Sequence, residues 1–247
     1  MQSPLEQFVI KPIFPLHLGQ YDISFTQSSL WMVVAVVLTT LLMTLSVRGR
    51  ALVPGRWQNI AEMLYEVVFG LTREYLHEEG RKYFPFVFSL FMIVLMGNLL
   101  GLIPYSFTYT SHIIVTGALA LFVFGMATLV GIWKHKLHFF SLFLPSGLPM
   151  LMIPLIIPIE IISYLSRPLS LSVRLCANMM MGHTMLKLIA AFCASLVFLS
   201  VGLKLVGIIP FVVNTALMGL ELLIAFIQAY VFAILTCIYL RDAIELH

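Results

Sequence analysis

From Tyr83 to Trp133 the chain carries no Asp, Glu, Lys or Arg. Such a stretch cannot coat a surface that faces water. A helix that crosses a bilayer needs about 20 mostly apolar residues, so Tyr83–Trp133 is long enough for two crossings. Pro104-Tyr105-Ser106-Phe107 marks the bend between them, and spans are expected over 85–104 and 112–133. Ser28–Val47 is a second uncharged run, closed by Arg48, Arg50 and Arg56, which predicts a first span over 28–47. The whole chain agrees. Only 10% of its 247 residues are charged and 61% are hydrophobic, against ~25% charged in a soluble domain. A soluble all-α protein with a large core is the alternative, and this charge content argues against it.

Trp57 to Glu79 mixes charge with apolar residues. Ile60, Leu64, Val67, Val68, Leu71 and Tyr75 recur there at helical spacing, which predicts an amphipathic helix over 57–79 lying on the membrane surface. The competing reading is a water-exposed helix packed on a partner. Lysine and arginine flank the spans unevenly. Six lie in 48–82 (Arg48, Arg50, Arg56, Arg73, Arg81, Lys82), Lys134 and Lys136 follow span three, and 105–111 has none. The positive-inside rule puts the first two segments on the cytoplasmic or matrix side and the N-terminus outside. Gly97 and Gly101 form a GxxxG face suited to close approach of another helix.

Beyond Pro145, Pro149, Pro154 and Pro158, the segments 155–199 and 208–240 are apolar but not free of charge. As single helices they would be about 67 Å and 50 Å long at 1.5 Å per residue, against a hydrocarbon core of about 30 Å. They are therefore expected to be strongly tilted, or broken near Pro168 and Gly182. Gly202 and Gly207–Pro210 supply the turn between them. The fold class expected is an all-α integral membrane protein of one domain (1–247). It has about five membrane-embedded helices and one amphipathic surface helix, and the last two helices form a long tilted antiparallel hairpin.

The first arm of that hairpin carries Glu160, Ser163, Arg167, Ser170, Arg174 and Asn178 at spacings of three or four, one continuous polar stripe on a helix. A mid-bilayer arginine costs roughly 2.5–3.5 kcal/mol on insertion scales and persists only beside a partner or a water-filled cavity. Arg174 reads as a fixed charge on an ion path, with a buried structural ion pair as the other reading. Glu160 and Arg167, nearer the cytoplasmic end, also read as snorkelling anchors. On the second arm Asn214, Glu221 and Gln228 are seven residues apart and share a face. Folding the arms back around Gly202 brings Arg174 level with Gln228 and His183 level with Glu221, two independent polar pairs in one register. Yet Arg174 and His183 lie on opposite sides of an ideal helix, so a local break or a separate cavity for His183 is expected, and a packing histidine is the alternative.

Arginine keeps its proton, so Arg174 can only act as a charge and a barrier. Histidine and glutamate can relay protons near neutral pH, and Asn178, Gln228 and Ser170 can hold water. His183 and Glu221 then fall toward the outside and Glu160 and Ser163 toward the inside, two half-paths separated by Arg174.

No Walker loop, GxGxxG or Cys-x-x-Cys is present, which argues against nucleotide chemistry on this chain. No cofactor, metal site or nucleic-acid partner is expected, and His135 and His138 read as a solvated loop pair. Cys176, Cys193 and Cys237 read as buried reduced thiols. The start MQSPLEQFVIKP lacks a basic stretch followed by an apolar run, so neither a cleavable signal nor a transit peptide is expected.

These same residues resemble subunit a of the F-type ATP synthase, in its alphaproteobacterial and mitochondrial form. The resemblance runs over nearly the whole chain. It includes SPLEQF, SFTQSSL, GNLLGLIPYSFT, SRPLSLSVRLCANMMMGH and ELLIAFIQAYVFAILTCIYLRDAIELH. It implies that Arg174 faces a carboxylate of the rotating c-ring, with Asn178 and Gln228 beside it. It implies an outer half-channel of His183 and Glu221 with Asn98 near it, and an inner half-channel at Glu160 and Ser163, which the stripe extends through Arg167 and Ser170. Many bacterial relatives carry the acid on the arginine helix and the histidine on the last; here the two are exchanged. The implied partners are the c-ring subunits, the peripheral-stalk subunit b, the remainder of Fo and F1, and the lipid bilayer. The implied location is an energy-transducing inner membrane, bacterial in preference to mitochondrial. The chain would not be catalytic alone. A self-contained proton-coupled secondary transporter is the rival class; it would usually show paired halves with broken helices, and none is evident.

Overall fold

The computed structural model describes residues 9–245 apart from 11, 16, 19–20, 23, 49–53, 104–105, 137–152 and 198–207. It is an all-α membrane protein. Among the described residues, five helical segments are long and apolar enough to cross a bilayer. The expected turn at Gly202 and Gly207 lies outside the described residues.

Helix α1 (Gln27–Arg48) is apolar around its circumference, with Val33, Val36, Val37 and Leu41 exposed, as suits a helix solvated by lipid. Its two central threonines return their hydroxyls to the carbonyls of Ala35 (2.7 Å) and Val36 (2.8 Å), so they carry no unpaired donor into an apolar surround. Ahead of it lie the strands found among the described residues. β1 (Pro12–Phe14) pairs with β4 (Phe25–Thr26), and β2 (His17–Leu18) with β3 (Tyr21–Asp22), both antiparallel.

Helix α2 (Arg56–Leu76) buries Ala61, Val68, Leu71, Thr72 and Leu76 and leaves Glu62, Glu66, Arg73 and Glu74 exposed. A 3-10 turn, His77–Glu79, reverses the chain into α3 (Gly80–Gly101), with His77 at a positive φ of 48°. Gly80 is needed there, because a Cβ would lie 2.5 Å from the Thr72 carbonyl oxygen. The α2–α3 turn is packed by rings: Tyr65 meets Phe84 at 4.7 Å, and Phe84 stacks on Phe88 at 5.4 Å. Helix α4 (Ile113–His135) buries Thr116, Ala120, Val123, Ala127 and Gly131, a stripe of mostly small residues that permits close helix packing.

Helices α5 (Ile153–Val197, 45 residues) and α6 (Ile208–Ile244, 37 residues) run without a break. Pro158 and Pro168 lie inside α5, as does Gly182, so of the two expectations for this hairpin the break does not occur.

The chain forms two compact units that share these long helices. One comprises Met1–Leu41, Ile93–His112 and Leu175–Ala229; the other comprises Leu42–Met92, Ile113–Arg174 and Tyr230–His247. In the first, Val94, Leu95, Cys176, Met179 and Ala225 are buried; in the second, Val87, Phe91, Val123, Leu171, Phe232 and Leu240 are.

Candidate proton path

The polar residues of the first unit converge. Asn98, on α3, is fully buried, and its amide donates to the Ala225 carbonyl of α6 at 3.3 Å. One turn along α6, Gln228 is also buried; its side-chain oxygen accepts from Asn178 of α5 at 3.1 Å. Glu221 is 4% exposed, and its Oε1 lies 3.7 Å from His183 Nδ1. The partner of Gln228 is thus Asn178, one turn further along α5 than the Arg174 that the hairpin register put level with it.

Several of these groups keep unused hydrogen-bonding capacity. Both Glu221 oxygens, Asn98 Oδ1, Asn214 Oδ1 and Gln228 Nε2 are buried with no hydrogen-bond partner among the described residues. Such a group costs ~1–3 kcal/mol unless something fills the gap. The gap has a shape. A cavity of about 210 Å³ is lined by Asn178, Gly182, Met185, Leu217, Glu221 and Ile224, among others, roomy enough for water beside polar atoms. Gly182 lets Glu221 reach it, since a Cβ there would lie 2.5 Å from Oε1 and 2.9 Å from the carboxyl carbon.

The other ring nitrogen of His183, Nε2, meets the Thr108 hydroxyl at 3.1 Å. Thr108 belongs to the short segment between α3 and α4, which is pinned in several ways. The Cys176 thiol donates to the Ser111 carbonyl at 2.8 Å, and Ser106 donates to the Leu100 carbonyl at 2.6 Å. Tyr109 donates to the Ile93 carbonyl at 3.1 Å, and burial pushes its phenol above the usual range, so it keeps the proton it donates. Cys176 and His183 are seven residues apart on α5 and share a face. The GxxxG face of α3 is met by this segment, with Tyr109 of a 3-10 turn over Gly97 and Thr108 over Gly101. Two hydroxylated side chains supply there the contact that the spacing alone assigns to a helix.

The second unit holds the rest of the stripe, and these residues do not form one cluster. Glu160 is half-buried and Ser163 and Ser170 are exposed. Arg167 pairs with Asp242 of α6, Nη1 to Oδ2 at 2.7 Å, between the rings of Tyr164 (5.7 Å) and Tyr239 (5.9 Å). Arg174 is exposed and makes no hydrogen bond or ion pair among the described residues. His135 shares a hydrogen bond with the Ile244 carbonyl at 2.9 Å; His138 lies outside the described residues. Cys176 and Cys237 are buried free thiols, and Cys193 is half-buried.

Residues 29–241 match the family described as ATP synthase A chain. The chain is 53% identical to the ATP synthase subunit a of Paramagnetospirillum magneticum over the full length of both. It is 51% identical to that of Rhodospirillum rubrum, again over both full lengths, and 52% identical to that of a Chelativorans species over 98% of each. The chain belongs to this family. It is a multi-pass membrane protein of the alphaproteobacterial subunit a type, and membership of that family makes it one subunit of a larger complex.

Against this family background, three residues stand out that sequence reasoning passed over. Asp242 has a readable signal. The hairpin register, carried from His183 and Glu221 toward the open ends, sets Arg167 opposite Cys237, a little over one turn from this acid. Gly182 was read as a breaking point when its use is to admit a carboxyl group. Thr108 gives no signal, because a threonine in an uncharged loop has no periodicity to betray it.

Proposed function

We propose that this chain is the proton-conducting stator subunit of an F-type ATP synthase in an energy-transducing bacterial inner membrane. Protons enter from outside along Asn98, His183 and Glu221 and load a carboxylate on the rotating c-ring. After almost a full turn they leave inside along Glu160, Ser163 and Ser170. Arg174, with Asn178 and Gln228 beside it, faces the ring and prevents a direct leak between the two half-paths. Arg167, held by Asp242, contributes a fixed charge on the inner side. Nucleotide chemistry belongs to the F1 partner, which this chain reaches through the ring and the peripheral-stalk subunit b. Helices α5 and α6 are about 67 Å and 55 Å long at 1.5 Å per residue, so they lie steeply tilted along the ring.

The observation that carries the reading is Glu221: a buried carboxyl group whose oxygens accept no hydrogen bond among the described residues, beside a histidine and a cavity that it shares with Asn178. A purely structural acid would be expected to have its hydrogen bonds filled. Histidine and carboxylate are the pair of side chains suited to passing a proton near neutral pH. The full-length likeness to proteins named ATP synthase subunit a leaves the self-contained transporter without support.

Glu221→Gln keeps the shape, exchanges one carboxyl oxygen for an amide NH2, and removes the titrating group. In inverted membrane vesicles with an assembled complex, ATP-driven proton pumping is expected to fall at least tenfold, with His183→Ala acting in the same direction. Pumping at the normal rate in Glu221→Gln would overturn the outer half-path.

A further inference from the structure

The contacts around Thr108 fix more than a loop. Its Oγ1 lies 3.1 Å from His183 Nε2 and is also within donating reach, 3.4 Å, of the Gly101 carbonyl at the end of α3. A threonine hydroxyl has one proton to give and lone pairs to accept with. One assignment makes both contacts hydrogen bonds: the hydroxyl donates to Gly101 and accepts from a protonated Nε2. The histidine tautomer then follows from the partner of one nitrogen, as it does wherever one ring nitrogen is engaged. The site is built for this arrangement. Thr108 is 7% exposed. A side chain at Gly101 would lie 2.6 Å from its methyl carbon and 2.8 Å from its hydroxyl, so only glycine lets that hydroxyl sit over the helix end.

We infer that Thr108 is a positioning residue of the outer half-path: it holds neutral His183 as the Nε2–H tautomer, so that the nitrogen that takes and releases a proton is Nδ1, which faces Glu221. In the forward step an imidazolium gives its Nδ1 proton to the Glu221 carboxylate, leaving a neutral ring and a carboxylic acid. The Nε2–H bond to Thr108 is unchanged throughout. A swing of the carboxyl group or one bridging water closes the 3.7 Å gap. Without the hydroxyl, neutral His183 is free to place its proton on Nδ1, where it cannot accept another.

Among the described residues, the charged groups about the ring are Glu221 on α6 and Lys187 one turn on along α5. The loop contributes hydroxyls, with His112 stacked on Phe107 at 5.1 Å, and α3 contributes Asn98, turned to Ala225.

The inference rests on the outer half-path proposed above, and its test separates the two. In assembled complex labelled with ¹⁵N-histidine, with His183→Gln identifying the signal, neutral His183 is expected to show a protonated Nε2 and a bare Nδ1. The opposite tautomer in the unsubstituted protein overturns the inference whatever the pumping data show. Thr108→Val, nearly isosteric, is expected to lose several-fold of ATP-driven pumping and to alter its pH profile, while Thr108→Ser keeps both. Normal pumping and an unchanged profile in Thr108→Val, with Glu221→Gln inactive, would overturn the role of Thr108 and leave the half-path standing. Normal pumping in Glu221→Gln would overturn the half-path itself.

Discussion

At position 182 the absence of one carbon decides where a carboxyl group can sit. A Cβ there would press on Glu221 at 2.5 Å, and the atoms it meets are the free end of a flexible side chain, which can retreat. Gly182→Ala is therefore expected to leave the complex assembled and to push Glu221 away from His183. Displacements of about 1 Å at a reacting group can cost up to a hundredfold, so a loss of roughly tenfold in proton pumping is expected. Glu221→Asp shortens the acid by one carbon and should recover part of that loss when combined with Gly182→Ala. A double variant no better than Gly182→Ala alone would show that the clash is not the cause. His183 makes the same point about single residues. About 180° around the helix from Arg174, it needed no break in α5 to reach Glu221, since the two side chains serve different faces and Arg174 is left exposed.

Among the elements, the hairpin of α5 and α6 shows what the chain's pattern reveals and what it hides. The uncharged runs and the polar stripe announced long apolar helices and an antiparallel return, and the all-α membrane fold was legible from them. The pairing of His183 with Glu221 was legible too, because two polar residues in apolar helices have few partners to choose from. The pairing of Gln228 was displaced by one turn, from Arg174 to Asn178. The contents of the Gly97–Gly101 face were hidden: a groove in sequence says that something comes close, not what comes. Arg167 and Asp242 join α5 to α6 within the second unit. With both side chains about one-third exposed, the pair should couple by about 1 kcal/mol. Arg167→Asp or Asp242→Arg alone is expected to lower the melting temperature of the purified complex, and the double exchange to restore most of it. A double exchange as unstable as the sum of the singles would remove the pair as a link between the helices.

On the scale of the whole molecule, the arrangement is a set of long helices carrying two groups of polar residues, one in each compact unit. The group proposed as the outer path is held by direct contacts within the first unit, whereas the group proposed as the inner path is spread along α5. That difference explains why the outer site can be described from this chain alone. An inner path built from half-buried Glu160 and exposed Ser163 and Ser170 needs a second surface to close it, and the proposed second surface is the ring. The same holds for Arg174. A mid-helix arginine with no ion pair among the described residues is costly in lipid, and the proposed ring carboxylate would offset that cost.

The most direct test of that claim is ATP-driven proton pumping in inverted vesicles carrying Arg174→Ala, with passive proton leak measured after F1 is stripped away. The account predicts an assembled complex that no longer pumps and whose membrane sector leaks protons more than the unsubstituted one. Normal pumping with no added leak would contradict it and leave Arg174 without a part in the proton path.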